Sequence, residues 1–226
     1  MIDLPLEKMQ EIAKEKYNLN NFPNDFIENF IFNSLAFKMK DLELTDVQKV
    51  LNNEQTNLTA ERVAYIKNYY KAIVHALGLL QNKEELDENK LKDIHAIIVG
   101  EDNIGGLYRN VDISIENSRY TPPAHLKVYS RMKKYFTTLE AYKDPIEKAA
   151  FSLLQLDKNH PFLNGNGRLS RLIINFYLLD SSLPPVIIPH EEKDHYFSLI
   201  EKFKVEKEID SFNNYLLSLI ESSINR

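Results

Sequence analysis

Residues 157–171 read DKNHPFLNGNGRLSR, and this stretch gathers side chains that can do chemistry at useful spacing. Gly165 and Gly167 carry no Cβ, so the backbone can turn with its N–H groups facing outward. A helix that starts there offers free N–H groups and the positive end of its dipole to a phosphate. Arg168 and Arg171 lie three apart, on adjacent positions of one helix face, and can both reach a single polyanion. His160 precedes the Gly-Asn-Gly turn by five residues, within reach of a bound phosphate as a general base. Anion cradle, cationic clamp and base thus fall within twelve residues, 160–171. A helix–turn–helix with a glycine cap, a solvent-facing His160 and surface arginines has the same composition. The GxxxxGK[ST] pattern of a Walker loop is absent.

The elements that must position these groups read as helices. Phe26, Ile27, Phe30, Ile31, Leu35 and Phe37 recur near one face of 25–39, and Val63, Ile66, Tyr69 or Tyr70, Ile73 and Leu77 on one face of 60–80. Thr45 and Gln48 have the spacing of a capping box for a short helix with Val47, Val50 and Leu51 inward. Asp87 can cap a helix carrying Leu91, Ile94, Ile97 and Ile98, and further helices are expected at 124–141, 145–157, 168–180, 192–204 and 209–222. The expected fold class is all-α with eight or nine helices. One segment departs from it. Val111, Ile113 and Ile115 alternate with Asn110, Asp112 and Ser114 after Gly105–Gly106, the period-2 signature of a strand, and 116–121 can turn the chain before Pro122–Pro123. The stretch 81–87 (QNKEELD) is the candidate boundary between an N-terminal layer, 1–85, and the main body.

Composition narrows the function. With 226 residues the chain buries a sizeable core without staples, and the absence of cysteine excludes disulfides, thiol catalysis and Cys-ligated zinc. A net charge of −5 argues against a dedicated nucleic-acid binder. The N-terminus has no basic stretch before an apolar core, and LIINFYLL (172–179) is far too short to span a bilayer, so a cytoplasmic chain without membrane contact is expected. His95, on an apolar helix face, reads as a core or capping histidine, Tyr69, Tyr70 and Tyr129 as packing residues, and His190 and His195 as surface residues.

HPFLNGNGRLSR (160–171) resembles the signature of the Fic domain family, HPFx[D/E]GNGRxxR, at every specified position but one. LYRNVDISIENSRYTPP (107–123) resembles the family's flap hairpin, SSLPPVII (181–188) with Tyr196 and Phe197 the segment lining its adenine site, and LDENKLKDIHAII (86–98) its first core helix. The resemblance implies a Fic-type helical bundle with one small β-hairpin: an N-terminal layer over 1–85, a core over 86–205 and a C-terminal helix over 206–226. It implies a nucleotidyltransferase, a protein adenylyltransferase that moves AMP from ATP to a Ser, Thr or Tyr hydroxyl of a target protein, the chain itself included. His160 would be the base. Gly165, Asn166, Gly167, Arg168 and Arg171 would hold phosphates, Tyr196 and Phe197 would face the adenine, and Phe162 would anchor the loop. Ile113, Ser114, Ile115 and Glu116 would pair with a target segment by strand addition.

Two departures stand out. Where the family has an acidic magnesium ligand this chain has Asn164, a neutral and weaker donor, so ATP and magnesium are implied with reduced metal affinity. SLAFKMKDLELTDVQKVL (34–51) resembles the family's inhibitory helix, [S/T]xxxE[G/N]; Ser34 matches, but Lys38 replaces the glutamate and Met39 the Gly or Asn. Other readings stay open: another phosphoryl or nucleotidyl transfer on the same scaffold, or a weakly active or non-catalytic nucleotide-binding module. Gly167, where the kinase-like branch carries lysine, speaks against that branch.

Overall fold

The computed structural model describes residues 5–100, 104–116 and 118–225. Ten α-helices make up the described chain: α1 Leu6–Lys16, α2 Asn24–Ala36, α3 Leu44–Leu51, α4 Ala60–Gln81, α5 Glu88–Val99, α6 Val128–Ala141, α7 Pro145–Asn159, α8 Asn166–Asp180, α9 Lys193–Glu206 and α10 Asp210–Asn225. The caps explain several starts. Thr59 Oγ1 accepts from the Arg62 N–H at 3.3 Å, Asp87 Oδ1 from the Lys90 N–H at 2.8 Å, and Asp144 Oδ1 from two N–H groups in the first turn of α7. Each such cap contributes about 1 kcal/mol.

α8 is the central element. It buries Leu169, Leu172, Ile173, Ile174, Phe176 and Leu178 against α7 on one side and α4 and α5 on the other. α6, α9 and α10 pack on the outer face of α7, while α2 and α3 cover α4. One apolar core runs from Met9 on α1 to Ile220 on α10, continuous across 81–87. The pair α7–α8 matters for chemistry because the loop between them is residues 160–165, so the signature is strung between the two best-packed helices.

The structure corrects three expectations. α1 is not among the helices expected from sequence, because only Met9 and Ala13 turn inward and so few apolar positions give weak periodicity. The capping box before α3 is shifted: Glu43 is the N-cap, and its N–H donates to Asp46 Oδ2 at 3.1 Å, so Thr45 and Gln48 are not the pair. The β-hairpin is not formed, and no strand occurs among the described residues. The donors that a ladder would need are used elsewhere. On the return leg, the Ser118 N–H closes a tight turn on the Ile115 carbonyl at 3.2 Å, the Arg119 N–H donates to Glu201 Oε1 on α9 at 2.6 Å and the Tyr120 N–H to Ser118 Oγ at 3.1 Å, so none of the three forms a ladder. Pro122 and Pro123 have no N–H to give. The flap is therefore an extended loop fastened at both ends.

Candidate active site

α7 ends at Asn159, and His160 caps it in the left-handed region at φ 44, where a non-glycine residue is strained. Its N–H still closes the helix on Leu156 at 3.0 Å. Three buried contacts over-determine the loop that comes next. Asn166 Oδ1 accepts from the Phe162 N–H at 3.0 Å and its Nδ2 donates to the Phe162 carbonyl at 2.8 Å, so one side chain closes residues 162–166 from within. Phe162, fully buried, stacks on His95 at 3.6 Å between ring centroids. Gly165 sits at φ 72, and a Cβ there would meet Val99 Cγ1 at 3.0 Å and His95 Nε2 at 3.2 Å.

His95 is the hub of this packing. The Gly106 N–H donates to its Nδ1 at 3.0 Å, which leaves the proton on Nε2 to donate to the Asn164 carbonyl at 3.0 Å. Burial pushes its pKa down to about 4, and nearby Arg168 adds to the depression against the Asn164 bond. A neutral His95 thus ties the flap's start to the catalytic loop.

Arg109 ties the two together again. Its buried guanidinium donates Nε–H to the His160 carbonyl at 2.9 Å, Nη1–H to the Val111 carbonyl at 2.9 Å, and Nη2–H to the Pro123 carbonyl; its own N–H reaches the Pro161 carbonyl at 2.9 Å. One side chain holds both legs of the flap and the backbone of His160. The His160 ring is mostly enclosed, and its Nδ1 makes no full hydrogen bond. Burial lowers its pKa, the Asp157 carboxylate works the other way, and Lys204 and Arg109 lower it further. The imidazole is therefore neutral at physiological pH, the state a base needs. Beneath it, Lys204 Nζ and Asp157 Oδ1 form an ion pair at 2.6 Å with both side chains almost fully buried.

α8 begins at Asn166, and among the described residues the N–H groups of Asn166, Gly167 and Arg168 find no acceptor in the chain, while Leu169 N–H returns to the Gly165 carbonyl at 3.0 Å. Those three open donors at the positive end of a 15-residue helix make an anion site. Arg171 overhangs it: a Cβ on Gly167 would lie 3.3 Å from Arg171 Nη1.

A cradle of helix N–H groups with an arginine above it and a neutral histidine on the preceding cap occurs within residues 85–178. That segment of the chain matches the Fic/DOC family model. Solved Fic structures share the fold along nearly the whole chain. A Fic domain containing signaling protein from Bacteroides thetaiotaomicron superposes with a TM-score of 0.84 at 20% identity, covering 97% of this chain and 93% of that one. Protein adenylyltransferase fic-1 of Caenorhabditis elegans is 29% identical over 154 residues, 66% of this chain and 30% of that one. Protein adenylyltransferase Fic of Nematostella vectensis is 31% identical over 131 residues, 55% and 30%. The chain spans about a third of the length of these curated relatives.

Within this Fic fold the residues singled out by sequence do not all meet. His160, Gly165, Gly167 and Arg171 converge. Asn166 contributes its backbone N–H, its side chain being spent on the loop. Arg168 turns away: Nη1 donates to the Ile98 carbonyl at 3.0 Å and the guanidinium lies 5.0 Å from the Tyr65 ring centroid. A three-residue step on a helix leaves a lateral offset, enough here for α4 and α5 to capture Arg168 while α2 captures Arg171. Tyr196 is buried with its hydroxyl unpartnered, and Phe197 is exposed beside it at 5.3 Å. Ile113, Ser114, Ile115 and Glu116 lie on the extended flap with no ladder partner, and Asn117 is outside the described residues. His190 is not free on the surface: its N–H donates to Asn33 Oδ1 at 3.0 Å and its ring packs on Phe32 at 5.0 Å.

The α2 end is docked on Arg171 despite the missing glutamate. Nε–H donates to Ser34 Oγ at 3.0 Å, Nη2–H to the Ser34 carbonyl at 2.9 Å, and the Phe37 ring lies 4.5 Å from the guanidinium carbon. Lys38 comes after α2 in a turn, exposed. The donors offered to a metal are few. Asn164 presents an exposed amide, and no group of three or more His, Asp or Glu side chains gathers among the described residues. Asp157, close to His160, is committed to Lys204. This set does not fit a protein-held magnesium, which wants at least one carboxylate. Sequence reasoning missed Arg109, Phe37 and the Asp157–Lys204 pair. No local signal marked them, because each acts on a partner distant in sequence. No helix among the described residues is long and apolar enough to cross a membrane.

Proposed function

We propose that the chain is a protein adenylyltransferase that transfers AMP from ATP to a hydroxyl of a target protein. The observation that carries this reading is the convergence of a neutral His160, the open N–H groups of Asn166, Gly167 and Arg168, and Arg171 at one helix N-terminus. His160 takes the proton of the target hydroxyl. The hydroxyl oxygen then bonds to the α-phosphorus as the bond to the bridging oxygen breaks, and pyrophosphate leaves. The N–H groups hold phosphate oxygens, Arg171 Nη1 faces the outer phosphates, and exposed Phe197 borders the nucleobase, with Tyr196 buried behind it as packing. The target enters along Ile113–Ile115, whose N–H groups are open among the described residues and pair with a strand without a preformed hairpin; Glu116 lies in the turn that follows. No carboxylate of this loop would hold magnesium, so a magnesium ion brought by ATP would find the exposed Asn164 amide as the loop's neutral donor.

Regulation resides at the α2 end. Ser34 and Phe37 hold Arg171 by hydrogen bonds and a ring face, and Lys38 brings no carboxylate to compete with phosphate. The chain is thus unbraked as it stands. Incubation with ATP labelled on the α-phosphate, with magnesium or manganese, tests the reading: label on the chain or on added lysate proteins, lost with His160→Ala, is expected. Label moving only from the γ-phosphate, or ATP binding without any transfer, would replace it by the kinase-like or binding-module reading.

A further inference from the structure

Beyond the flap, one face of this acidic protein is positively charged. Lys158, two residues before His160, has its ammonium 5.2 Å from the ring of Tyr120 on the flap's return leg and 5.2 Å from that of Phe203 on α9, donating to the Lys204 carbonyl at 2.8 Å. Burial lowers its pKa, and Lys207, Arg131 and Lys204 depress it further, so these cations repel one another across the α6, α7 and α9 junction. Burial raises the pKa of Tyr120 on the flap's return leg, and the charge of Arg131 works the other way. The carboxylates around this junction are committed: Asp157 to Lys204, Glu201 to Ser118 and Arg119, Glu208 to Lys202. Neither Arg131, Lys158 nor Lys207 has an ion pair among the described residues, although the chain as a whole carries −5. Lys127, Arg131 and Lys134 fall at steps of four and three from the cap of α6 along the helix, so they form one stripe running away from the flap, all exposed.

We propose that this stripe, with Lys158 and Lys207 at its flap end, docks an acidic segment of the target protein that lies next to the modified hydroxyl. The charge complementarity decides the occupant. A flap that recognises backbone alone accepts any extended chain, and exposed cations beside it select those with carboxylates in the right place and speed their encounter. An acidic partner also relieves the repulsion that adds to burial in holding the Lys158 pKa down. Transfer after docking rests on the adenylyltransferase reading; the binding itself does not.

The probe is a fluorescent random copolymer of glutamate and tyrosine, which offers carboxylates and hydroxyls together, with a lysine–tyrosine copolymer as the opposite-charge control. Anisotropy measures binding without any transfer. The wild-type chain is expected to bind the acidic polymer alone, weakening as salt rises from about 0.05 to 0.3 M. Arg131→Glu with Lys134→Glu, both exposed and outside the catalytic loop, is expected to weaken it roughly tenfold while leaving ATP affinity unchanged. Unchanged polymer binding in the double variant, or equal binding of both polymers, overturns the proposal. So does a single-stranded RNA or an anionic vesicle that binds more tightly than the polymer with the same sensitivity. Charge-sensitive polymer binding without AMP transfer supports the docking face and counts against the adenylyltransferase reading alone.

Discussion

Two loops meet at His160, and they are built on opposite plans. The catalytic loop, 160–165, is closed by buried side chains: Asn166 across its ends, His95 on its carbonyl, Phe162 in the core. The flap, 107–123, is held by side chains along its legs: Arg109 on the Val111 and Pro123 carbonyls, Asp112 on His125, and Glu201 on Ser118 and Arg119. Among the described residues the N–H groups of 113–115 have no partner. Transfer to phosphorus needs atoms fixed within a fraction of an ångström, whereas accepting a varied partner needs unpaired N–H and C=O groups. On the adenylyltransferase reading, rigidity lies where bonds break and openness where a target binds. Arg109 touches both, so a flap that shifts on binding pulls on the carbonyl of His160 itself.

The largest effect should come from the rigid loop's reactive group. His160→Ala removes the base and is expected to lower transfer ~10²–10⁴-fold with ATP affinity nearly unchanged, since the ring makes no full hydrogen bond that the fold depends on. Isothermal titration and an initial-rate assay on the same sample decide it; a parallel loss of ATP binding would assign His160 to the nucleotide instead.

The contrast between the loops predicts where stability resides. Asn166→Ala strands two buried backbone groups of Phe162 and should cost about 2–4 kcal/mol, seen as a lower midpoint in denaturant. Ile115→Pro removes an N–H that pairs with nothing among the described residues, so it should leave that midpoint almost unmoved while weakening target use several-fold. Equal destabilisation by both would mean the flap is as cross-braced as the catalytic loop.

Acid should loosen the rigid loop first. His95 has its pKa lowered from 6.5 to about 4 chiefly by burial, so its charged form is disfavoured in the folded chain. The stabilisation is fully present above about pH 6.5 and is lost as pH falls toward 4, a swing of about 3 kcal/mol. His95→Gln, which cannot titrate, should flatten the fall of stability over that window; a wild-type-like slope would rule His95 out as its source.

How much of this could be read from the residues alone differs between the same two loops. The catalytic loop was legible because its constraints are local: a glycine, Gly165, on a left-handed backbone, a histidine before it, arginines just after. The flap was not, because a period-2 pattern shows which side chains alternate, not where the N–H groups go. Its donors go to Glu201, more than eighty residues later in the chain. Arg168 failed for a related reason. Spacing put it beside Arg171, but Tyr65 and the Ile98 carbonyl, distant in sequence, turned it the other way. The helices were mostly visible, except α1, whose inward face is too small to leave a pattern.

Two smaller predictions probe the edges of the rigid loop. Asn164→Asp adds a carboxylate at the loop's exposed corner and should raise transfer at sub-millimolar magnesium several-fold, with the gain shrinking as metal saturates. A metal titration identical to wild type would show that position 164 does not reach the ion.

The smallest effect concerns the α2 end. In the family the glutamate at this place pairs with the arginine that corresponds to Arg171, so Lys38→Glu is the direct way to rebuild a brake. The geometry limits it. Arg171 Nε and Nη2 are already taken by Ser34 and one face is covered by Phe37, leaving only Nη1, toward Gly167, for a new carboxylate. Residue 38 starts from an exposed turn, where an ion pair is worth about 0.2–1 kcal/mol. ATP affinity should therefore fall by no more than about fivefold, because each engaged Nη1 is lost to phosphate. A double-mutant cycle isolates the cause. In an Arg171→Ala background, which will itself bind ATP less well, Lys38→Glu should have no further effect, the two changes acting through one guanidinium. If the Lys38→Glu penalty persists there, it arises elsewhere on the surface, and α2 is a structural helix whose docking on Arg171 has no regulatory role.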